Sequence, residues 1–377
     1  IISVCFITTA IQNIMLQNIK RPTLLLDRAK CLSNIRFMAE KAKKHHLIFR
    51  PHFKTHQSAA IGEWFRNEGV EAITVSSVQM AQYFALHGWQ DITISFPVNI
   101  REILEINQLA AQVHLNLLVE SPEVVHFLKH NLTASADIFI KIDTGLHRSG
   151  IDPADLIMIE KIIEAIQQSD KMIFLGFLTH AGHTYGSKNK NDILIIHRQS
   201  LDQMVGLKNA FSEFQPLISI GDTPSCSIAD DFSGADEIRP GNFVFYDMMQ
   251  AETGSCTYGQ IAVALICPVV ASYPKRSEHV IYGGAIHLSK DSIRYSNGLT
   301  SFGRIAIFNG NHWQILPEGN EVISVSQEHG IVKLQPEFYD SFIPGGLMAV
   351  IPIHSCLTAH QIKQYLTLDG EIISMML

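Results

Sequence analysis

The sequence predicts an α/β protein with a parallel sheet, followed by a second domain that consists mainly of β-strands. As far as Arg239, short β-branched runs alternate with amphipathic helical stretches. Several of these runs are apolar without interruption, as at Ile138–Ile140, which is typical of strands buried on both faces. From Gln260 onward, short strands and turns replace the helical pattern. The alternation alone fits either a closed (β/α)8 barrel or a doubly wound sheet.

The first predicted elements are a strand at Thr23–Asp27 and a helix at Ala29–His45, whose apolar residues recur at helical spacing. Further strands are predicted at Leu47–Phe53, Ala72–Val75, Ile92–Phe96, Val113–Val119, Asp137–Ile142, Ile173–Leu178 and Leu217–Ile220. The clearest helices between them are predicted at Ser58–Asn67, Pro153–Gln168 and Asn191–Phe211. This order gives the α/β part of the chain.

The C-terminal part predicts an all-β domain. Its strands alternate with turns rich in Gly, Pro and Asn, and they are predicted at Ile261–Val270, Val280–Tyr282, Val322–Ser326, Ile331–Leu334 and Met348–Ile351.

The composition excludes several classes of protein. Of the 377 residues, 29 are Lys or Arg and 36 are Asp or Glu, and the net charge of −7 argues against nucleic-acid binding. No apolar run approaches the roughly 18 residues of a membrane span. Ile1–Ala10 is apolar but lacks a basic leader, so we do not expect a secretory signal. The six cysteines form no C-x-x-C pair, and a reducing cytoplasm is the expected location.

The first motif is Arg50–His56, at the carboxyl end of a predicted strand. In a βα barrel that end carries the catalytic face. Lys54 would sit there on rigid backbone, where a lysine can have a lowered pKa and act as a nucleophile or base. The alternative is a surface lysine flanked by histidines by chance.

The second motif, Asp143–Gly150, also follows a predicted strand. Its glycines allow tight turns, and Arg148 can direct two parallel N–H donors at an anionic oxygen. The alternative is an Asp–Arg pair that only stabilises the loop.

The third motif, Thr179–Gly186, places two histidines and a tyrosine on a glycine-containing loop just past a strand. His183 and Tyr185 suit hydrogen bonding to a ring or acid–base chemistry.

The fourth motif combines Ile220–Ser225 with Arg239–Asn242. Glycines and hydroxyl side chains after a late barrel strand suit a phosphate cradle, in which backbone N–H groups and Thr or Ser hydroxyls hold the anion. Taken alone, the first segment also reads as an ordinary turn.

The fifth motif is Pro352–Cys356 in the predicted β domain. Residues two apart on a strand face the same side, so His354 and Cys356 are expected to point at one metal ion. The alternative is a buried thiol beside a buried imidazole, since zinc usually takes three or four protein ligands.

Together these motifs resemble the pyridoxal-phosphate enzymes of the alanine-racemase-like barrel, specifically the D-serine dehydratase and D-threonine aldolase branch. The resemblance spans roughly Arg21 to the C-terminus. It implies a (β/α)8 TIM-type barrel over residues 28–247 and a mostly antiparallel β domain from residues 1–27 plus 248–377. Lys54 would follow the first barrel strand, Gly221–Thr223 the seventh and Pro240–Asn242 the eighth. It also implies a homodimer.

The resemblance implies a role for each candidate residue. Lys54 would form the Schiff base with pyridoxal 5'-phosphate and remove the Cα proton, and His183 is the second candidate catalytic residue. Gly221, Thr223 and Asn242 would hold the phosphate, and Asp222 is a further cofactor-binding residue. Tyr185 would contact the pyridine nitrogen, and Arg148 would lie near the ring hydroxyl. His354 and Cys356 would bind a divalent metal.

The implied substrate is a D-amino acid with a β-hydroxyl, such as D-serine, D-threonine or 3-hydroxyaspartate. Dehydration yields a 2-oxo acid and ammonia, whereas retro-aldol cleavage yields glycine and an aldehyde. In this family the dehydratases resemble His-x-Cys at the metal motif and the aldolases His-x-Asp. The sequence reads His354-Ser355-Cys356. A thiolate favours zinc over manganese or magnesium, so a D-serine dehydratase-like lyase is expected and the aldolase is the alternative.

Two other functions fit the sequence less well than a lyase does. A racemase needs a second acid–base group, and the segments around Tyr273 and Tyr282 do not match the tyrosine motif of alanine racemases. Non-catalytic barrels of the pyridoxal-phosphate homeostasis type lack a β domain, whereas this chain continues well beyond Asp247.

Overall fold

The computed structural model describes residues 17–377. They divide into two compact units: residues up to Asn34 together with Val244–Leu377 form one, and Ile35–Phe243 form the other. The domain boundaries expected from the resemblance stay a prediction. Residues 1–16, which include the apolar start and most of the N-terminal piece assigned to the β domain, lie outside the described part of the chain.

The described chain opens with strand β1 (Thr23–Leu26) and helix α1 (Arg28–Lys44). Parallel strands follow at β2 (Ile48–Phe49), β3 (Ala72–Val75), β4 (Asp91–Pro97), β5 (His114–Val119), β6 (Ala136–Ile142), β7 (Met172–Thr179), β8 (Leu217–Ile220) and β9 (Glu237–Ile238). They form one sheet in the order β2-β9-β8-β7-β6-β5-β4-β3.

The two ends of this sheet meet just beyond β2. A parallel bridge joins His52 to Thr74 of β3, and Phe53 N donates to Thr74 O at 2.8 Å. The sheet therefore closes on itself, which confirms the predicted barrel and excludes the doubly wound alternative.

Helices lie between the barrel strands: α2 (Ala59–Arg66), α3 (Val78–Leu86), α4 (Ile103–Ala110), α5 (Pro122–Asn131), α6 (Leu156–Gln167), α7 (Lys190–Ala210) and α8 (Thr223–Ile228). Helix α6 shows why they form here. The Asp155 side chain accepts a hydrogen bond from Met158 N and so caps the first turn. Its buried residues include Ile159, Ile162 and Ile166, a spacing that puts one apolar face against the barrel.

The unit that includes Val244–Leu377, here called the second unit, contains three short helices and the remaining strands. The helices are α9 (Met248–Glu252), α10 (Ala285–Leu288) and α11 (Pro336–Tyr339), and a longer one is α12 (Ser355–Ile362). The strands are β10 (Val263–Tyr273), β11 (Glu278–Tyr282), β12 (Ile293–Arg294), β13 (Thr300–Ser301), β14 (Gly303–Phe308), β15 (Trp313–Ile315), β16 (Glu321–Val325), β17 (His329–Lys333), β18 (Leu347–Pro352), β19 (Gln364–Thr367) and β20 (Ile372–Ser374).

Six antiparallel strands of this unit also close into a ring, in the order β10-β11-β17-β16-β14-β18 and back to β10. Strand β1 extends the sheet by pairing with β10, with Leu24 opposite Leu265, and it pairs in parallel with β19. The predicted mostly antiparallel β domain is therefore confirmed.

One predicted barrel strand is much shorter than expected. Leu47–Phe53 reads as a continuous strand, but only Ile48–Phe49 pair regularly. Pro51 has no backbone N–H to donate, and the chain turns directly after His52. Among the described residues, no helix is long and apolar enough to cross a bilayer.

Candidate active site

Lys54 lies on the turn after β2, at the end of the barrel where the carboxyl ends of the strands meet. Its side chain is exposed, whereas its neighbours Phe53 and Thr55 are fully buried. Phe53 packs edge-on against Phe84 and Trp89, with ring centroids 4.9 Å and 5.0 Å away. This packing fixes the backbone that carries the Lys54 amine.

Two histidines, His52 and His180, lie close enough to Lys54 for its charge to affect their pKa values. Burial lowers the pKa of His52 well below its usual value, and the charge of Lys54 lowers it further. Burial lowers the pKa of His180 to about 3, although a hydrogen bond to Gly221 O partly opposes this and the Lys54 charge adds to it. Both imidazoles are therefore neutral at pH 7.

The predicted phosphate cradle consists of two segments that lie against each other. Gly221, with φ of +153°, follows β8, and a side chain there would lie 2.5 Å from Arg239 N. Phe243 N donates to Thr223 Oγ1 at 3.2 Å, which joins the segment after β9 to the start of α8. The side chains of Asp222, Thr223 and Asn242 are buried. The barrel thus brings together the residues that the fourth motif predicted.

The loop after β7 is hydrogen-bonded to three successive residues of this cradle. His180 Nδ1 donates to Gly221 O at 2.8 Å, and Thr184 Oγ1 donates to Asp222 Oδ1 at 2.8 Å. Tyr185 Oη accepts from Thr223 N at 3.4 Å. The Tyr185 hydroxyl therefore lies at the first turn of α8.

Asp222 faces inward, away from solvent. Its Oδ1 accepts from Ser225 N at 2.8 Å, which caps α8, and from Thr184 Oγ1. Burial raises the pKa of Asp222, while the hydrogen bonds from Ser225 and Thr184 oppose that rise.

The loop after β6 holds Arg148. Asp143 Oδ1 accepts from Gly145 N (3.0 Å) and His147 N (3.1 Å), which tightens the turn. Arg148 itself is exposed, and its charge is one of those that lower the pKa of His180. The Asp143 carboxylate thus stabilises the loop by accepting hydrogen bonds from two of the loop's backbone N–H groups.

His183 lies next to this same loop. A side chain at Gly145 would come within 3.5 Å of His183 Nε2. His183 Nδ1 is buried and has no hydrogen-bond partner among the described residues. Because buried polar atoms are nearly always hydrogen-bonded, this nitrogen suits a bound molecule that would complete its bonding.

These residues fit pyridoxal phosphate, which requires a primary amine, donors for a phosphate and polar partners for a ring. Lys54 supplies an exposed amine on a fixed turn. Thr223 and Tyr185 supply hydroxyls beside the amides of the cradle, and the unsatisfied His183 Nδ1 supplies a polar contact.

The sequence analysis assigned no role to several charged groups inside the barrel. Arg50 Nε donates to Glu237 Oε2 at 2.5 Å, and Arg239 Nε donates to Ser219 Oγ at 2.6 Å. Lys141 is also buried, and burial together with the charges of Arg239 and Arg148 lowers its pKa to about 7. Strand alternation gives a signal for these groups, because Glu237 and Arg239 stand two residues apart and so share a face.

The structure corrects the expected setting of His354 and Cys356, which do not lie on a strand. β18 ends at Pro352, His354 precedes α12, and Cys356 lies in its first turn. Proline donates no ladder hydrogen bond, and Asp247 Oδ2 accepts from Ser355 N at 3.0 Å, which favours the start of a helix.

The two side chains are nevertheless adjacent. Burial lowers the pKa of His354, but hydrogen bonds to Asp291 and to Cys356 outweigh burial and raise it to about 11. His354 Nδ1 lies 2.8 Å from Asp291 Oδ2. An imidazole nitrogen and a thiol side by side form a donor set that suits a borderline-soft metal ion.

The part of the chain that the structure describes holds no cluster of three or more His, Cys, Asp or Glu side chains arranged to bind a metal. A metal ion held by His354 and Cys356 would have coordination positions left for water or substrate.

Comparisons with known proteins agree with this architecture. A curated D-serine dehydratase from Dictyostelium discoideum is 28% identical over 384 residues, covering 94% of this chain and 95% of the relative. One from Schizosaccharomyces pombe is 26% identical, covering 94% and 90%. The solved D-threo-3-hydroxyaspartate dehydratase from Delftia sp. HT23 superposes with a TM-score of 0.88 at 24% identity, covering 96% of this chain and 98% of that one. A mutant of the same-named enzyme was solved in a metal-free form, with a TM-score of 0.89 at 23% identity, covering 96% and 98%.

Two family models match the chain in sequence order. The alanine racemase N-terminal domain matches residues 26–248, which is more than half of the chain. The putative serine dehydratase domain matches residues 262–368. The resemblance found in the motifs is thereby confirmed, and the chain belongs to the family defined by the alanine racemase N-terminal domain, in which it carries a putative serine dehydratase domain.

Proposed function

We propose that this chain is a pyridoxal-phosphate- and metal-dependent lyase that acts on a β-hydroxy D-amino acid, and that its reaction is dehydration of the D-serine type. The observation that carries the proposal is the placement of Lys54 and the cradle residues Gly221, Thr223 and Asn242 at the same end of one closed barrel. The curated relatives named D-serine dehydratase support the reaction class.

Lys54 has two roles in this proposal. Its Nζ would attach the cofactor and, once substrate has displaced it, would take the proton from the substrate Cα. The bound cofactor would supply an electron sink for the charge left on that carbon. The exposed amine of Lys54 stands on a turn that the buried Phe53 and Thr55 hold in place, which supports Lys54 in both roles.

The cradle residues would bind the phosphate. Thr223, Asn242 and the backbone at Gly221 offer hydroxyl, amide and N–H groups. Tyr185, whose Oη accepts from Thr223 N, would contact the pyridine nitrogen. Asp222 would act differently, because a carboxylate in contact with a phosphate would repel it. Its bonds to Ser225 N and Thr184 Oγ1 support a role in holding the cradle in shape.

Arg148 and His183 would act at the ring and the substrate. Arg148 is exposed and cannot lose its proton, so it would stabilise an anionic oxygen. The buried His183 Nδ1 would exchange a hydrogen bond with the bound ring or substrate.

His354 and Cys356 would hold the divalent metal. Their nitrogen and sulfur donors favour zinc over manganese or magnesium. A metal with open coordination positions acts as a Lewis acid, which assists departure of a hydroxyl group. The metal-free form described for a solved relative supports a metal in this kind of protein.

One experiment separates the two candidate reactions. The purified protein, saturated with pyridoxal phosphate and zinc, is incubated with D-serine and D-threonine in separate reactions. We expect a 2-oxo acid and ammonia from D-serine. Glycine and an aldehyde from D-threonine would instead establish the aldolase, and L-serine serves as the stereochemical control.

Variants test whether Lys54 carries the reaction. We expect Lys54→Ala to lose turnover completely. Lys44→Ala removes an exposed lysine from the end of α1 and should retain activity. Turnover in Lys54→Ala would contradict the proposal.

The homodimer and the cytoplasmic location are part of the same proposal. Cys31, Cys226 and Cys267 are buried free thiols, which supports a reducing compartment. Light scattering on the purified protein tests the dimer.

A further inference from the structure

His354 is held by a carboxylate that the metal motif does not contain. Its Nδ1 lies 2.8 Å from Asp291 Oδ2. A carboxylate oxygen only accepts, so Nδ1 carries the hydrogen of this bond. In the neutral ring the lone pair then belongs to Nε2. The contact therefore fixes the orientation of the His354 ring and, in the neutral ring that a metal ion requires, its tautomer.

Asp291 is tied to the same helix that carries Cys356. Ser289 Oγ accepts from Asp291 N at 3.1 Å, and Ser289 N in turn donates to Gln361 Oε1 on α12 at 3.0 Å. Thr358, also on α12, contacts Leu288 O at 3.5 Å. The turn that presents Asp291 is thus bonded twice to the helix that presents Cys356.

A second carboxylate fixes the backbone between the two candidate ligands. Asp247 Oδ2 accepts from both Ser355 N (3.0 Å) and Ser355 Oγ (3.2 Å), and Asp247 and Ser355 are buried. The backbone of this motif is therefore rigid. Rotation of the His354 ring is then restrained by its side-chain contacts, of which the one to Asp291 lies outside the motif.

We propose that Asp291 is a positioning residue of the metal site: it holds the His354 ring in the Nδ1–H form and directs Nε2 to the metal. This inference rests on the proposed function, since it assumes that His354 binds the metal. Carboxylates that hold a ligating histidine in this way commonly change metal affinity 10–100-fold when they are removed.

The test measures metal affinity and does not depend on turnover. Co2+ is titrated into the metal-free full-length protein, its absorption bands report coordination, and competition with Zn2+ gives the zinc affinity. We expect Asp291→Ala to weaken binding about 10–100-fold. Asp291→Asn keeps an oxygen that can accept from Nδ1 but loses the charge, so its affinity should fall between those of Asp291→Ala and the wild type.

The control is Asp340→Asn, which removes an exposed carboxylate elsewhere in the same unit. Its metal affinity should equal that of the wild type. Thermal unfolding of each metal-free variant separates a loss of positioning from a loss of folding. Should Asp291→Ala be unstable, Asp291→Asn alone decides the matter.

Wild-type affinity in the Asp291 variants would overturn the inference. The inference would also be overturned if the fall in metal affinity were fully explained by a lower free energy of unfolding of the metal-free variant. If the wild type binds Co2+ through His354 but forms no 2-oxo acid from D-serine, the proposed reaction fails while the role of Asp291 stands.

Discussion

The contact between Thr184 and Asp222 is predicted to couple the loop after β7 to the phosphate cradle. Thr184→Val removes a hydroxyl whose oxygen lies 2.8 Å from Asp222 Oδ1 and 2.9 Å from Ala181 O, and it keeps nearly the same volume. Both side chains are buried, with Thr184 at 0% exposure and Asp222 at 4%. The carboxylate would then keep its bond from Ser225 N but lose its donor from the loop.

The expected cost follows from the charge of the acceptor. A hydrogen bond to a charged group contributes about 1.5–3 kcal/mol, whereas one between neutral groups contributes about 0.5–1.5 kcal/mol. Thr144→Val is the matched control, because the buried Thr144 Oγ1 contacts only the neutral Thr179 Oγ1, at 3.0 Å. Thr184→Val should therefore lower the free energy of unfolding about twice as much as Thr144→Val.

Two measurements check this prediction. Urea unfolding of the cofactor-free proteins gives the loss in stability. Titration with pyridoxal phosphate and with pyridoxal, which lacks the phosphate, gives the loss in binding. Because the contact supports the cradle, Thr184→Val should weaken pyridoxal phosphate binding and leave pyridoxal binding nearly unchanged.

Two results would refute this reasoning. One is equal destabilisation by Thr184→Val and Thr144→Val, which would mean that Asp222 does not depend on the loop. The other is equal weakening for the two cofactor forms, which would mean that the loop acts on the ring and not on the phosphate.

Three further predictions follow from the site. Lys54→Ala should lose the yellow absorbance of the bound cofactor together with activity, and retained absorbance would refute the lysine assignment. Cys356→Ala should keep the cofactor but lose metal and most turnover, measured by metal analysis and a 2-oxo acid assay; full activity after chelation would count against the metal. His180 has a pKa of about 3 in the folded protein against 6.5 for an ordinary histidine, so the unfolded chain binds the extra proton between these values, and stability is lost as the pH falls from about 6.5 toward 3. His180→Asn should flatten this part of the pH profile of unfolding, and an unchanged slope would show that the loss comes from other groups.

Strand positions were predictable from sequence where burial dominates. β6 (Ala136–Ile142) matches the predicted Asp137–Ile142 to one residue, because an uninterrupted apolar run is stable only where both of its faces are buried. The predicted length of the first barrel strand was wrong, because Pro51 has no N–H to donate to the neighbouring strand. The order of strands in the second unit was not predictable, since pairs such as β1 with β19 join segments more than 300 residues apart.

The chemical groups of the site were predictable by type but less so by setting. Lys54 and Thr223 stand in local motifs that the sequence displays. Lys141 stands in a run of apolar residues that hides which face points into the barrel. Asp291 lies 63 residues before its partner His354, and no short-range pattern joins them. Sequence spacing also predicted the wrong local structure for His354 and Cys356, because it cannot show where a strand gives way to a helix.

The charge of the candidate site opposes the charge of the whole chain. The net charge is −7, yet the mouth of the barrel gathers Lys54, Arg148 and the buried Arg239, whose charges add to the effect of burial in lowering the pKa of His180. Keeping His52 and His180 neutral limits the repulsion among these cations, so the positive charge stays on groups that can meet an anion. A phosphate and an amino-acid carboxylate are both anions, and a local positive field in an otherwise negative protein attracts them to this end of the barrel while the remaining surface repels them.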